Sequence, residues 1–287
     1  MRLSICSFSY HRAFFAGRCD LAQYIDHSRR HGATHLNIWI PHLLHDPDPA
    51  ALQAWQWHPG SPEIPDFLQA PTDAGWCTQV RDLIAAGGMP VEMLAMEKAF
   101  VHLRDPDHLR RHHDFLRGWL RFCERTGIGA MRIDPGGHRS DWDETDVDAA
   151  VAGYRHWCAV AADHGVTLYV ENHWGMCQRP AVLERLLEGA PALRYLFDSS
   201  NWPDDAIRMQ GLERVGPRAS ATHLKCRELD ADLVEHAYDM AGIIRRLAQW
   251  DVDRIWGIEA MPADGDEDGA VGRTRRLIER CLAEVAA

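Results

Sequence analysis

The chain lacks the features that would place it in a membrane, on a nucleic acid or among small secreted domains. Its 287 residues contain no apolar run near the about 18 residues that a membrane span needs. Its eight cysteines form no C-x-x-C pair, which fits neither a zinc ribbon nor a disulfide framework. Basic residues number 31 against 42 acidic ones, and the net charge of −11 repels a polyanion. We therefore expect a soluble protein with reduced thiols and with neither a membrane nor a nucleic acid as partner.

The first residues, MRLSICSFSY, lack the long apolar core and the small-residue cleavage site of a secretory signal. We interpret them as a first strand and expect a cytoplasmic protein. A glycine-rich phosphate cradle of the form G-x-x-x-x-G-K is also missing, although Gly136 and Gly137 could offer backbone amides to an anion. A phosphorylated substrate therefore has no positive support in the sequence.

Strand-like and helix-like segments alternate along the chain. Eight short segments rich in Val, Ile, Leu, Tyr and Met lie at 2–8, 34–40, 90–96, 130–134, 166–172, 193–198, 221–226 and 254–260. Helical patterns separate them, one capped by Asp20 and another by Asp105. A strand followed by a helix, repeated eight times, is typical of a parallel α/β sheet that closes into a barrel of about 250 residues. The sequence predicts a single (β/α)₈ TIM-barrel domain over residues 1–287.

Residues 41–72, after the second strand, interrupt this alternation. Prolines, which forbid a long regular element, stand at positions 41, 47, 49, 59, 62, 65 and 71. Trp55, Trp57 and Phe67 are more typical of a packed loop than of a flexible tether. We predict a long loop that covers the barrel mouth as a lid. A structural loop, or a contact between subunits of a homo-oligomer, is the alternative.

Four ionisable residues each follow or end a short apolar run: Glu171 in LYVENH, Asp198 in RYLFDSSN, His223 in ATHLKCR and Glu259 in IWGIEAM. They are separated by 27, 25 and 36 residues, about one strand-plus-helix unit each. Because the carboxyl ends of barrel strands share one face, the four side chains can meet there. Three carboxylates and an imidazole suit one hard divalent cation, with Mn²⁺ as the first expectation and Mg²⁺, Co²⁺ or Zn²⁺ as alternatives. Taken singly, a strand-end carboxylate can instead cap a helix, and His223 can be a core histidine.

Further polar residues follow strands at the same predicted face. Alternation along a strand places His173 on the face of Glu171, and Lys225 on the face of His223. Arg132 ends the fourth strand in the same way. Side chains of this kind hold substrate hydroxyls or an anionic group, although ordinary ion pairs are the alternative explanation. We select His173, Lys225 and Arg132 as substrate-binding candidates.

Tryptophan is abundant, with 11 residues, and several of them follow strands. Trp39 and Trp174 lie at or just after the ends of the second and fifth strands. Flat apolar rings beside polar groups suit the C–H faces of a sugar, although packing in the core or at the rim would explain them equally. We include Trp39 and Trp174 among the substrate-binding candidates.

These motifs carry a resemblance over the whole chain. The segments ENHWG, DSSN and HLKCR resemble the E-N-H-G-G, D-x-x-N and H-x-K motifs of the xylose-isomerase-like TIM-barrel superfamily of sugar and sugar-phosphate isomerases and epimerases. The order Glu, Asp, His, Glu on strands five to eight resembles the metal set of that family. The resemblance implies that Glu171, Asp198, His223 and Glu259 bind one divalent cation, and that Glu171 and Glu259 also act as acid and base.

The implied chemistry is proton abstraction next to a carbonyl. A cation chelated by a carbonyl and its neighbouring hydroxyl acidifies the C–H between them and stabilises an enediolate. Two carboxylates on opposite faces can then remove the proton and return it, which gives isomerisation or epimerisation of a small sugar. The sequence departs from the ketose 3-epimerases at Asn201, where a histidine follows the metal Asp by three. Because asparagine hydrogen-bonds a substrate but does not titrate, dehydration or elimination from a keto-sugar or keto-glycoside is the alternative reaction.

Two further classes share the barrel. A multi-zinc apurinic endonuclease would need additional histidines and an Asp-x-His on strand seven, where this chain has His223 and Lys225. A barrel without catalysis, acting as a binding subunit, would have no reason to keep the four-residue set. We therefore expect a metal-dependent enzyme that acts on a sugar or sugar derivative.

Overall fold

The computed structural model describes residues 1–55, 63–96, 98–135, 142–250 and 252–287. Eight parallel strands form one sheet in the order β7-β6-β5-β4-β3-β2-β1-β8. The strands are β1 Leu3–Cys6, β2 His35–Trp39, β3 Val91–Ala95, β4 Ala130–Arg132, β5 Thr167–Glu171, β6 Arg194–Asp198, β7 Ala219–His223 and β8 Trp256–Ile258. The sheet therefore curls into a barrel, and the predicted fold class is confirmed.

Closure of the barrel occurs on both sides of β8. Strand β1 pairs with β8 in a regular parallel ladder that joins Leu3 to Trp256. On its other side, β8 contacts the neighbouring strand β7 through two single bridges, Ala221 with Ile255 and Leu224 with Ile258. The barrel is thus nearly closed, which leaves the ends of β5 to β8 side by side at one face.

Ten helices among the described residues surround the sheet. They are α1 His11–Phe15, α2 Leu21–Arg30, α3 Pro49–Trp55, α4 Ala74–Gly87, α5 Pro106–Thr126, α6 Glu144–Asp163, α7 Pro180–Gly189, α8 Asp205–Val215, α9 Met240–Ala248 and α10 Glu267–Ala286. None of the helices in this part of the chain is long and apolar enough to span a membrane.

Side-chain caps fix where several helices begin. Asp20 accepts a hydrogen bond from the backbone N–H of Gln23, and the Gln23 side chain accepts one in return from Asp20. Asp105 accepts from the backbone of His108 ahead of α5. Both predicted caps are confirmed. Helix α9 begins at Met240, directly after Asp239, whose side chain accepts from the backbone N–H of Gly242.

Apolar packing lies in two regions. The larger one fills the layer between the strands and the helices, where the strand residues Val170, Phe197 and Ile258 are fully buried. A small cluster of Met93, Ala130, Leu196 and Ala221 packs beside Tyr169. These residues share strand parity with the predicted site residues, so this cluster fills the barrel interior below them.

In its described residues, the proline-rich segment after β2 contains only short elements. Helix α3 spans seven residues and a 3₁₀ turn follows at Asp66–Leu68, as the prolines led us to expect. The Trp119 indole N–H donates to the Leu68 carbonyl at 3.1 Å, so this part of the segment runs along α5. Trp57 and the remainder of 56–62 lie outside the described residues, as do Gly136 and Gly137.

Candidate active site

The four predicted ligands lie at the carboxyl ends of four neighbouring strands. Glu171, Asp198 and His223 are the last residues of β5, β6 and β7, and Glu259 directly follows β8. Their relative exposures are 1%, 0%, 0% and 6%. One candidate ligand atom from each residue lies within 4.8 Å of the others. The structure therefore brings all four together in one buried cluster, which we call the carboxylate–histidine cluster.

The direction of these side chains follows from strand alternation. Val170, Phe197 and Ile258, which precede three of the cluster residues, are buried in the apolar layer under the helices. Because neighbouring residues on a strand point to opposite faces, Glu171, Asp198 and Glu259 point inward. Packing of the apolar residues against the helices thus directs the neighbouring polar side chains into the barrel.

His223 is the centre of the carboxylate–histidine cluster. Its Nδ1 lies 2.6 Å from Glu259 Oε2 and 3.2 Å from Glu171 Oε1. Two carboxylate oxygens of the cluster, Glu171 Oε2 and Asp198 Oδ2, are buried without a hydrogen bond to the described part of the protein, and each faces a buried cationic side chain. Three carboxylates and one imidazole nitrogen at this separation fit a divalent cation.

Two cationic side chains offset the negative charge of the cluster. The Lys225 ammonium lies 2.9 Å from Glu259 Oε1 and 3.2 Å from Asp198 Oδ2. The Arg132 guanidinium lies 3.3 Å from Glu171 Oε2. Both side chains are almost fully buried, at 4% exposure. Positive charge therefore stands on two sides of the three carboxylates.

These neighbours set the protonation of the two glutamates. Burial alone would raise the pKa of Glu259, but Lys225 and His223 hold it well below its ordinary value. Burial opposes ionisation of Glu171 as well, yet Arg132 and His223 lower its pKa. Both glutamates are thus carboxylates at neutral pH, the form that can accept a proton.

The pKa values of the other two members of the cluster, Asp198 and His223, are raised. Burial raises the pKa of Asp198, although Lys225 opposes the shift. Burial would lower the pKa of His223, but Glu259 and Glu171 raise it well above its ordinary value. In the protein alone, an imidazolium between two carboxylates is therefore favoured.

Arg132 and His173 meet at Asp134. His173 Nδ1 lies 2.9 Å from Asp134 Oδ2, and the Arg132 guanidinium donates to both oxygens of Asp134 at 3.2 and 3.3 Å. Arg132 Nη1 is also 3.1 Å from His173 Nδ1. Asp134 was not among the predicted site residues, although its place two residues after Arg132 was a usable signal. This carboxylate holds both side chains in place.

Asn201 connects the cluster to Lys225. Its side-chain N–H donates to Glu171 Oε1 at 3.3 Å, and its carbonyl accepts from Lys225 Nζ at 3.0 Å. Its backbone N–H donates to Asp198 Oδ1 at 2.8 Å. Asn201 therefore contacts three site residues without adding a charge of its own.

The two predicted tryptophans have different surroundings. Trp174 is half-buried and lies beside the His173 ring, with 4.6 Å between centroids. Trp39 is 2% exposed and packs edge-on against Phe8 and Phe14, at centroid distances of 5.0 and 5.7 Å. Trp174 is the more exposed residue of the two.

Cys6, the last residue of β1, was not predicted as a site residue. Its thiol, His223 and Glu259 form a second group of potential ligand atoms within 4.8 Å of one another. Burial raises the pKa of the Cys6 thiol. Its strand-end position was the signal in the sequence, but the scattered pattern of cysteines did not single it out.

Comparison with known proteins agrees with this geometry. The sequence profile of the family described as xylose isomerase-like TIM barrel matches residues 50–281. The chain belongs to this family. A search of curated protein sequences found no match.

Solved structures give the same fold at low sequence identity. The chain is similar to an L-ribulose 3-epimerase (TM-score 0.70, 13% identity, 99% of this chain and 95% of that one). It is also similar to the IolI protein with a bound zinc atom (TM-score 0.70, 10% identity, 99% of both chains). In a fusion of a xylose isomerase-like barrel with a 4-hydroxyphenylpyruvate dioxygenase, 99% of this chain matches 43% of that chain (TM-score 0.68, 15% identity). Other neighbours are also sugar epimerases.

Proposed function

We propose that the protein is a divalent-metal-dependent sugar isomerase or epimerase that moves a proton next to a carbonyl. The observation that carries this proposal is the carboxylate–histidine cluster, in which four potential ligand atoms lie within 4.8 Å of one another. Sugar epimerases among the structural neighbours support the substrate class. The zinc atom in one neighbour supports a cation at such a centre.

Glu171, Asp198, His223 and Glu259 would hold one cation, with Mn²⁺ as the first candidate. When bound, the cation would polarise a substrate carbonyl as a Lewis acid. Glu171 and Glu259 stand on different strands of the cluster, and both are ionised. One glutamate therefore removes the proton from the carbon next to the carbonyl and later releases it to water, and the other takes up a proton from water and returns it to carbon. Return to the neighbouring carbon gives an isomer, whereas return to the opposite face of the same carbon gives an epimer.

The surrounding polar groups bind and orient the sugar. Lys225 and Asn201 are hydrogen-bonded to each other at 3.0 Å beside Glu259, where they can hold a hydroxyl or the enediolate oxygen. Arg132 and His173 occupy the Glu171 side and are held by Asp134. Trp174 and Trp39 are the candidates for contact with the sugar ring, and Trp174 is the more exposed residue of the two.

Dehydration or elimination from a keto-sugar or keto-glycoside is the second candidate. It begins with the same proton abstraction but also needs an acid for the leaving group. His173, whose Nδ1 is held 2.9 Å from Asp134, is an imidazole beside the site that could supply that proton. The nature of the product, a rearranged sugar or an unsaturated one, separates the two reactions.

Metal binding tests the first step of the proposal. Purified protein, stripped with a chelator and titrated with Mn²⁺ by calorimetry, should bind one cation per chain. Asp198→Ala should weaken this binding strongly, because it removes one of the carboxylates. Asp264→Asn is the matched control, since this carboxylate is 64% exposed and lies outside the cluster. Failure of the wild-type protein to bind a divalent cation would contradict the proposal.

Turnover tests the second step. The metal-loaded protein should convert at least one member of a panel of ketoses, inososes and 3-keto glycosides, with products identified by chromatography and NMR. Addition of chelator should stop the conversion, and Mn²⁺ should restore it. Activity that persists unchanged in excess chelator would exclude a metal-dependent reaction.

A further inference from the structure

A second polar group lies against His223 on the side away from the carboxylates. Asn37 on β2 places its Nδ2 at 3.2 Å from His223 Nε2. The same Nδ2 lies 3.1 Å from Oε2 of Glu92 on β3. Asn37 is 0% exposed and Glu92 is 6% exposed. His223 thus stands between two sets of polar groups, with Glu171 and Glu259 at Nδ1 and the Asn37–Glu92 pair at Nε2.

This pair lies where apolar packing would be expected. The barrel interior near it contains Met93 and Leu196, which are fully buried. A buried amide and a buried carboxyl are costly unless their hydrogen bonds are made. Burial also raises the pKa of Glu92 to about 6. Because burial of these two polar groups is costly, we look for a function that they serve, and the contact of Asn37 with His223 indicates one.

A histidine that binds a metal needs one ring nitrogen that carries no proton. Because Nδ1 of His223 faces Glu171 and Glu259, a cation among the carboxylates must bind Nδ1, and the ring proton must then be on Nε2. An Nε2–H of this kind ordinarily donates to a neighbouring acceptor, which fixes the tautomer and the orientation of the ring. Asn37 is the side chain at that nitrogen.

The Asn37 amide has the required acceptor. Its Oδ1 is buried and accepts no hydrogen bond from the described residues. Rotation of the amide about its last bond brings Oδ1 to Nε2, where it can accept the proton. Glu92 can hold the amide in either orientation, because an ionised carboxyl accepts from Nδ2 and a protonated one donates to Oδ1.

We propose that Asn37, held by Glu92, is a positioning residue that fixes the tautomer of His223 and presents its Nδ1 to the metal. This inference rests on the proposed metal site and adds a requirement to it. Neither residue touches the cation or the substrate. The pair acts on affinity through His223, so its loss should weaken metal binding about 10- to 100-fold, the range known for such outer hydrogen bonds.

The test compares Mn²⁺ dissociation constants, measured by competition with a fluorescent chelator, in wild-type protein and four variants. Asn37→Leu and Glu92→Met remove the hydrogen bonds at similar size, and we expect affinity to fall about 10- to 100-fold. Glu92→Gln can still accept from or donate to Asn37 and should stay within about threefold of wild type. Tyr24→Phe is the matched control, because the Tyr24 hydroxyl accepts from the Asn37 backbone N–H at 3.0 Å and leaves its side chain alone. It should lower thermal stability and leave affinity unchanged.

The outcomes separate this inference from the proposed metal site. If wild-type protein binds no Mn²⁺, the metal site itself is wrong and the inference falls with it. If wild type binds and Asn37→Leu binds equally well, only the positioning role is overturned. If Tyr24→Phe loses as much Mn²⁺ affinity as Asn37→Leu, the loss reflects general destabilisation, and the positioning role is overturned. Should Asn37→Leu fail to fold, the comparison of Glu92→Met with Glu92→Gln decides, and equal affinity in those two variants overturns the inference.

Discussion

At the scale of single residues, the carboxyl groups of the cluster differ in the direction of their pKa shifts because their neighbours differ. Glu171 and Glu259 have pKa values lowered by Arg132, His223 and Lys225, although burial opposes the shift. Asp198 has its pKa raised, since burial and the neighbouring carboxylates of Glu171 and Glu259 outweigh Lys225. The two glutamates are therefore the carboxyl groups held ionised at neutral pH, which is the form that can accept a proton.

Substitution of either glutamate should stop the chemistry. We predict that Glu171→Gln and Glu259→Gln each lower kcat by at least about 10²-fold, because an amide can coordinate through its oxygen but cannot accept a proton. Metal affinity should fall less than the rate. Steady-state kinetics and Mn²⁺ titration on the same preparations check both statements. Glu188→Gln, on the exposed surface, is the control. A variant at either glutamate that keeps more than about a tenth of wild-type kcat would contradict the two-base mechanism.

Lys225 should matter most when no metal is bound. Its ammonium lies within 3.2 Å of Asp198 and Glu259, and all three groups are buried. We predict that Lys225→Met destabilises the metal-free protein by about 3 to 5 kcal/mol, the cost of leaving buried charges without a partner. Saturating Mn²⁺ should restore more stability to this variant than to wild type, because a dication replaces the lost positive charge. Chemical denaturation without Mn²⁺ measures the destabilisation, and denaturation with Mn²⁺ measures how much stability the metal restores. Equal stabilisation of the variant and of wild type by Mn²⁺ would contradict this prediction.

At the scale of elements, the site depends on where strands end. The sequence pattern placed the end of β6 at Asp198 and the end of β5 within one residue, because each is a short apolar run followed by polar residues, but it carried β7 three residues beyond its end at His223. Alternation then gave the direction of Glu171 and His223. The contacts of Asn37 with His223 and with Glu92 could not be predicted in this way. It depends on which residues of β2 and β3 face each other, and the register shifts between Leu36 and Asn37.

The segment after β2 should affect catalysis more than stability. Helix α3 ends at Trp55, whose ring lies 5.4 Å from the Lys98 ammonium beyond the end of β3. This contact supports the prediction that residues 41–72 lie over the mouth. We expect Trp55→Ala to lower kcat/KM by about tenfold through poorer exclusion of water, with a small change in Tm. Gln53→Ala, at an exposed side chain of the same helix, is the control. Unchanged kinetics in Trp55→Ala would reduce the segment to a connector.

His42, just after β2, should make the fold sensitive to acid. Burial lowers its pKa from the ordinary 6.5 to about 3, so the folded protein keeps it neutral. Below pH 6.5 the unfolded chain binds a proton that the folded protein refuses until about pH 3, and stability is therefore lost as pH falls through this window. The loss is about 1.4 kcal/mol for each pH unit. In His42→Gln, whose side chain does not titrate, the free energy of unfolding should change less with pH than in wild type between about pH 6 and pH 4. Urea denaturation at several pH values in this range measures both proteins. Parallel profiles for the two proteins would contradict this.

At the scale of the whole molecule, the alternation of strands and helices was enough to predict the barrel. It did not predict that β7 and β8 meet through only two single bridges. Such closure depends on the stagger of all eight strands, which no local pattern specifies. Nor could the sequence assign Asp134 or Cys6 to the site, because a strand-end residue gains meaning only when its neighbours across the barrel are known. The fold alone does not define the substrate, because one fold can carry sites for many different functions.

The central claim is that Glu171 and Glu259 move a proton next to a carbonyl in a metal-dependent reaction. The most direct measurement is ¹H NMR in D₂O of ketoses, inososes and 3-keto glycosides incubated with the protein. The account predicts that Mn²⁺-loaded protein, freed of excess paramagnetic metal before recording, replaces a C–H proton beside the carbonyl of at least one substrate with deuterium. Chelator, or Glu171→Gln combined with Glu259→Gln, should abolish the replacement. Deuterium incorporation that survives both treatments, or its absence across the whole panel with metal bound, would contradict the account.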